Sequence, residues 1–130
     1  MEKINKIKKK FKSYNLDGYL IPKNDEFFNE FIPEEKDYLK NISNFSGSYG
    51  LALILKKKNY LFVDGRYTHQ AEKQSGKEFK IIEIHKFLPK RIMKNLNLGI
   101  DPSLFTEKML KFYFGKNFKF TKIRENLIDQ

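Results

Sequence analysis

The chain has 130 residues, 40% hydrophobic and 15% aromatic, a size and composition typical of one globular domain and not of a disordered chain. Its formal net charge is +10, but only Arg66, Arg91 and Arg124 among its 26 basic residues are arginines, so the charge indicates a solvated lysine surface more than a phosphate-binding site. The absence of cysteine excludes disulfides, cysteine-ligated zinc and thiol nucleophiles.

Apolar spacing and turn residues predict alternating helices and strands. Ile4, Ile7, Phe11 and Tyr14 recur every three or four residues, a period typical of one apolar helix face. Runs of branched and aromatic residues between turn formers predict strands. In chain order the predicted elements are a helix at 2–14, a strand at 19–21 closed by Pro22, a mostly loop segment with short helical pieces at 23–48, hairpin strands at 50–55 and 60–63, a helix at 66–75, a strand at 79–84, a helix at 86–95, a strand at 98–100, a helix at 104–114 and a strand at 118–123.

Two of these helices carry more specific expectations. Pro89 has no backbone N–H, so it suits only the first turn of the helix at 86–95. The helix at 104–114 is expected to place four apolar residues near one face, namely Phe105, Met109, Phe112 and Tyr113.

This order of elements predicts a single α/β domain over residues 1–130. Strands that alternate with helices form layers, so we expect a three-layer domain with helices flanking the sheet. The hairpin makes the sheet mixed, because a tight turn joins only antiparallel strands. No N-terminal stretch resembles a signal peptide, and no run approaches the roughly 20 apolar residues of a membrane span. The sequence therefore predicts a soluble, cytoplasmic protein.

The string DGRY at 64–67 lies where a predicted strand passes into a helix. In a structural interpretation, Asp64 accepts hydrogen bonds from the first helical N–H groups, Gly65 makes the turn and Tyr67 packs. In a functional interpretation, Arg66 points outward as a fork that binds carboxylates. Within the chain alone the structural interpretation is favoured.

Three other patterns are candidates for chemistry, each weaker than its structural alternative. The string FSGSYG at 45–50 has two glycines, but it feeds a strand and lacks the lysine of a phosphate loop, which favours a structural turn. Asp64 and Asp101 both follow strands and could hold magnesium together, although such sites usually need further carboxylates. The two histidines, His69 and His85, belong to no metal-binding pattern.

Several strings taken together resemble the N-terminal domain of Xaa-Pro aminopeptidases, in the aminopeptidase P, prolidase and creatinase group. They come in family order and span residues 16–129. The matching strings are DGYLIP at 17–22, NDE at 24–26 with EFIP at 30–33, NFSGSYG at 44–50 for the family's G-F-x-G-S-A-G, LFVDGRY at 61–67 for W-T-D-G-R-Y, QA at 70–71 with KQ at 73–74 for Q-A-x-x-Q, GIDP at 99–102, and ENLID at 125–129.

The resemblance implies a mixed-sheet fold of ribonuclease H-like architecture and a division of labour. In the family, a separate C-terminal pita-bread domain holds two divalent metal ions, usually manganese, and cleaves the bond before a proline in the second position of a peptide. None of those ligands lies in the matched strings, so residues 1–130 are expected to lack the catalytic domain, to hold no cofactor and to be inactive alone.

The resemblance also implies partners and a site. Family N-terminal domains pack on the catalytic domain, help to form homodimers and cover the active-site mouth. The matching residues at the substrate entrance are Arg66 and Tyr67, with Asp64 beside them and the 45–50 loop close behind. Two alternatives remain open at this point: a basic nucleic-acid-binding module of ribonuclease H-like architecture, and a small metal-dependent nuclease that uses Asp64.

Overall fold

The structure, a computed structural model, describes residues 2–23 and 36–129. A six-stranded sheet in the order β4-β3-β2-β1-β5-β6 forms its centre. The strands are β1 (Gly18–Pro22), β2 (Gly50–Leu55), β3 (Asn59–Val63), β4 (Lys80–Glu83), β5 (Asn97–Ile100) and β6 (Lys119–Lys122). The helices are α1 (Glu2–Lys9), α2 (Phe11–Tyr14), α3 (Tyr38–Ser43), α4 (Thr68–Ser75), α5 (Pro89–Ile92) and α6 (Glu107–Phe114). The family resemblance at 24–26 and 30–33 and much of the loop predicted at 23–48 lie outside the described residues.

The sheet is mixed because one strand runs against the other five. Strand β2 is antiparallel to both β1 and β3, whereas β3 with β4, β1 with β5 and β5 with β6 are parallel. The carboxyl ends of β1, β3, β4, β5 and β6 therefore lie at one edge of the sheet, together with the start of β2. We call this the carboxyl edge. The predicted mixed-sheet α/β fold with flanking helices is confirmed.

The core lies on both sides of the central strands. Strand β1 is buried along its whole length, and β2 and β3 expose almost none of their apolar side chains. This continuous burial is typical of strands covered on both faces. Helix α1 buries Ile4 and Ile7, and α2 buries Phe11, so the predicted period is confirmed for these three residues. In the described part of the chain, no helix has the length and apolar character to cross a membrane.

Three predicted helices differ from the observed ones. The helix at 2–14 is interrupted at Lys10, and Tyr14 at its end is exposed. The helix at 86–95 shortens to Pro89–Ile92, with the proline in the first turn as expected. The helix at 104–114 starts only at Glu107, because the Thr106 hydroxyl caps it by accepting a hydrogen bond from the N–H of Met109 at 3.1 Å.

The predicted apolar face of this last helix was wrong at two residues, because Phe105 lies before the helix and Phe112 lies on its exposed side. Phe112 is 60% exposed, whereas Phe114 is buried against Phe118 and Phe120. Successive helical residues are turned by about 100°, so positions 112 and 114 point to nearly opposite sides. Since Phe114 takes the core side, Phe112 is left at the surface.

Candidate functional site at the carboxyl edge

The loop at 45–50 is held in place by the helix that follows the DGRY string. The N–H of Ser46 donates to Oε1 of Gln74 at 3.0 Å, and the Ser46 hydroxyl accepts from Nε2 of Gln70 and Gln74 at 3.0 and 2.9 Å. The Ser75 hydroxyl donates to the carbonyl of Ser43 at 2.7 Å. Two strings about 25 residues apart in sequence are therefore partners in one network, which confirms the structural interpretation of the loop.

Phe45 anchors the same loop in the core. Its ring is fully buried and meets the ring of Tyr67 edge to face, with 6.1 Å between centroids. Gly47 lies directly on this ring, since a Cβ there would come within 2.2 Å of the Phe45 Cζ atom. The Tyr67 hydroxyl lies 2.5 Å from Oγ of Ser48. The glycine thus allows close packing, and the loop and the DGRY string pack together as one unit.

Asp64 contacts two exposed side chains, Arg66 and His85, at the end of β3. One carboxylate oxygen accepts from the backbone N–H of Arg66 at 3.0 Å and from its Nε at 3.2 Å. The other oxygen lies 3.4 Å from Nε2 of His85, which follows β4. The capping role predicted for Asp64 is confirmed. The Arg66 side chain is 75% exposed, and its guanidinium lies 5.3 Å from the centre of the Tyr67 ring.

These contacts hold the pKa of the Asp64 carboxyl below its ordinary value. The backbone N–H of Arg66 is the largest cause, and the Arg66 guanidinium and His85 add to it. The ionised form is therefore favoured in the folded state, so its contribution to stability is present above the unfolded pKa of about 3.9 and is lost as the pH falls through the lower folded value.

We expect an NMR pH titration to place the pKa of Asp64 below about 3.9. In Arg66→Gln the pKa of Asp64 should rise only part of the way to its ordinary value, because the backbone N–H at position 66 remains. Arg91→Gln, which changes an exposed arginine of α5, should leave it unaltered. An Asp64 pKa at or above the ordinary carboxyl value in the unaltered chain would contradict this description of the cluster.

A cleft of about 390 Å³ opens beside this cluster. Tyr49, at the start of β2, shares a short hydroxyl–hydroxyl hydrogen bond with Tyr113 of α6. Burial, and then this bond, raise the pKa of Tyr49, so the Tyr49 hydroxyl stays protonated near neutral pH. The residues that line the cleft are Tyr49, Asp64, Arg66, Ile84, His85, Leu88, Phe112 and Tyr113.

The sequence pointed to only part of this cleft. Asp64 and Arg66 were identified by the DGRY string, but the wall from α6 and the segment after β4 was not. His85 was noted only as lying outside any metal-binding pattern. Its place beside Asp64 depends on the parallel pairing of β3 with β4, which brings the ends of these strands together. No local signal in the sequence gives that pairing.

Asp101, the other carboxylate that follows a strand, is buried in a separate network. One of its oxygens accepts from the N–H and hydroxyl of Ser103 at 3.0 and 2.6 Å, and the other accepts from Nδ2 of Asn126 at 3.1 Å. Strands β2 and β1 lie between β3 and β5, so Asp64 and Asp101 are at least about 14 Å apart. The hypothesis that these two carboxylates share a magnesium ion is therefore wrong.

Across residues 2–23 and 36–129, no three histidine, aspartate or glutamate side chains converge as metal ligands do. His69 lies on α4, whereas His85 follows β4 and lies beside Asp64.

The chain is similar to known peptidases over nearly its whole length. The sequence model of the Creatinase/Prolidase N-terminal domain family matches residues 3–129. A probable Xaa-Pro aminopeptidase P of Laccaria bicolor is 31% identical over 140 aligned residues, which cover 98% of this chain and 22% of the relative. Aminopeptidase P1 of Lotus japonicus is 32% identical, over 88% of this chain and 19% of the relative. The chain thus spans about a fifth of the length of these relatives.

Solved structures agree with the sequence comparison. The X-prolyl aminopeptidase of Caenorhabditis elegans, described as a cytosolic enzyme with a di-nuclear active site, superposes with a TM-score of 0.80 at 25% identity, over 98% of this chain and 24% of that one. The isolated N-terminal domain of the peptidase PepQ from Mycobacterium tuberculosis superposes with a TM-score of 0.71 at 24% identity, over 97% and 95% of the two chains. The alternative of a nucleic-acid-binding module finds no support among these matches.

Proposed function

Because the chain belongs to the creatinase/prolidase N-terminal domain family, we propose that it is the non-catalytic N-terminal domain of an Xaa-Pro aminopeptidase. The observation that carries the proposal is the match of residues 3–129 to one family, within relatives about five times as long. The chain forms one domain in this proposal, and its partner is a catalytic domain of the same protein. That domain would hold two divalent metal ions, with manganese as the expected metal, and would remove an N-terminal residue that precedes proline.

The same proposal extends to location and assembly. A homodimer is proposed because the resemblance implies that family N-terminal domains help to form one. A cytoplasmic location is proposed on the strength of the C. elegans relative, which is described as cytosolic.

Arg66, Tyr67 and Asp64 are the residues proposed to shape the substrate entrance. Asp64 holds the Nε side of the guanidinium, and the Tyr67 ring lies beside it. In the described part of the chain, no carboxylate contacts the terminal nitrogens of Arg66. A guanidinium held in this way can donate two parallel hydrogen bonds to a carboxylate. The cluster therefore supplies an oriented cation at the carboxyl edge, which suits the free carboxylate of a short peptide.

The experiment that tests this function measures hydrolysis of Xaa-Pro tripeptides by two proteins. One is the longer protein, which joins this chain to its proposed catalytic domain, and the other is the 130-residue chain alone. We expect metal-dependent cleavage by the longer protein and none by the chain. In the longer protein, Arg66→Ala should raise KM about tenfold or more with little change in kcat, because a charge-assisted contact to bound substrate is lost.

Arg91→Ala is the matched control, since it removes an exposed arginine from α5. Proline-directed cleavage by the 130-residue chain would contradict the non-catalytic role. If KM and kcat were both unchanged in Arg66→Ala, the entrance role of Arg66 would be wrong.

A further inference from the structure

The cleft beside Arg66 combines three features in one place. It has an apolar wall of Ile84, Leu88 and Phe112, a pair of tyrosine hydroxyls and an exposed guanidinium at its rim. Its volume of about 390 Å³ falls within the range of roughly 300–1,000 Å³ that is common for small-molecule sites. Apolar walls with a few placed polar groups are typical of ligand sites, so the cleft has the composition of one.

We propose that this cleft binds the carboxyl-terminal residue of short peptides, with its apolar side chain against Leu88 and Phe112 and its carboxylate on Arg66. The proposal rests on the function proposed above and deepens it, because it names a substrate class: short peptides that end in a large apolar residue. It also adds specificity-determining residues, Leu88 and Phe112, that lie outside the DGRY string.

The exposure of Phe112 supports an apolar occupant. Its ring is 60% exposed although it lies on a helix that buries Phe114, and it packs edge to face on Tyr113 with 5.3 Å between centroids. An exposed ring that lines a cleft offers a flat surface on which an aromatic or branched side chain can pack. Leu88 forms part of the same lining, so the occupant would be covered by more than one side chain.

The charges around the cleft are compatible with a carboxylate. The negative charges nearby already have partners: Asp64 faces Arg66 and His85, and Glu83 lies 3.2 Å from Nζ of Lys86. The cationic groups at the rim are Arg66 and, when protonated, His85. The hydroxyls of Tyr49 and Tyr113 can donate and accept hydrogen bonds. A carboxylate therefore meets an oriented guanidinium and no unpaired negative charge among the described lining residues.

The test is a titration of the isotope-labelled 130-residue chain, followed by amide NMR shifts. The probes are Ala-Pro-Phe, its carboxyl-terminal amide and Ala-Pro-Gly, with mass spectrometry to show that each peptide stays intact. Saturable shifts at residues 49, 66, 85, 88 and 112 are expected with Ala-Pro-Phe. The amide and the glycine peptide should each bind about tenfold more weakly or worse, because one lacks the carboxylate charge and the other the apolar side chain.

Exposed variants locate the site without threatening the fold. Arg66→Gln and Phe112→Ala should each weaken binding of Ala-Pro-Phe about tenfold. Phe87→Ala is the matched control, since Phe87 is 53% exposed but does not line the cleft. Equal binding of acid and amide, an equal loss in Phe87→Ala, or no saturable shift from a chain with a well-dispersed spectrum would overturn the proposal.

The two proposals fail in different ways. If the longer protein cleaves Xaa-Pro peptides but the chain does not bind Ala-Pro-Phe, only the subsite is wrong. If the chain binds Ala-Pro-Phe and the longer protein shows no cleavage, the peptidase function is wrong and the cleft is a carboxylate site of another kind.

Discussion

Replacement of Phe45 by alanine is expected to lower the free energy of unfolding by about 3–5 kcal/mol, the usual cost of removing a buried phenylalanine ring. The ring is fully buried, lies under Gly47 and meets Tyr67. Its loss leaves a cavity that the loop at 45–50 cannot easily fill, because that loop is also bonded to α4. Denaturant unfolding followed by far-ultraviolet circular dichroism measures the change.

Phe87→Ala removes the same side chain from an exposed position and should change stability by less than about 0.5 kcal/mol. The Phe45 variant should also disturb the neighbouring DGRY string, visible as shifts of the Tyr67 and Arg66 amides. A cost below about 1 kcal/mol for Phe45→Ala would show that the loop is not anchored as described.

Asp101→Ala is expected to cost about 2–4 kcal/mol of stability. The carboxylate is buried and accepts from Ser103 and Asn126, so its removal leaves buried donors without acceptors and takes away the cap of the 3₁₀ turn at Pro102–Leu104. Thermal and denaturant unfolding of the variant would measure the loss.

Asp64→Ala provides the comparison, since Asp64 also follows a strand and caps a 3₁₀ turn but lies near the surface. The loss of stability in Asp64→Ala should be clearly smaller than in Asp101→Ala, because water can satisfy the donors that Asp64 leaves. If both variants lost the same stability, burial of the Asp101 network would not be the reason for its cost. Asp101→Asn should recover part of the loss, since an amide oxygen can still accept one of the bonds.

Local sequence pattern was sufficient to predict most elements but not their ends. The hairpin of β2 and β3 follows from two apolar runs around a polar turn, and the structure differs by one residue at Asn59. The helix boundaries failed where a side-chain cap decided them, as at Thr106, or where proline limited the helix, as at Pro89. Phe112 was misplaced because Phe114, on nearly the opposite side of α6, takes the core side.

In the candidate site too, the local contacts could be predicted from the sequence and the long-range contacts could not. The DGRY string suggested both Asp64 as a cap and Arg66 as an outward cation, since both depend on local backbone geometry. The contacts of Asp64 with His85 and of Tyr49 with Tyr113 join segments that are 21 and 64 residues apart. Such contacts depend on strand order and helix placement, which a single sequence does not give. The family resemblance supplied the fold, but not the cleft.

The last described residues are hydrogen-bonded to distant parts of the chain. The N–H of Leu127 donates to the hydroxyl of Tyr19 on β1, Asn126 donates to Asp101, and the Tyr38 hydroxyl donates to Asp129. The first strand thus acquires a partner that is 108 positions away. During synthesis on the ribosome, the core around the early helices and strands therefore cannot be completed until residues 126–129 have emerged, and contacts of such long range slow folding.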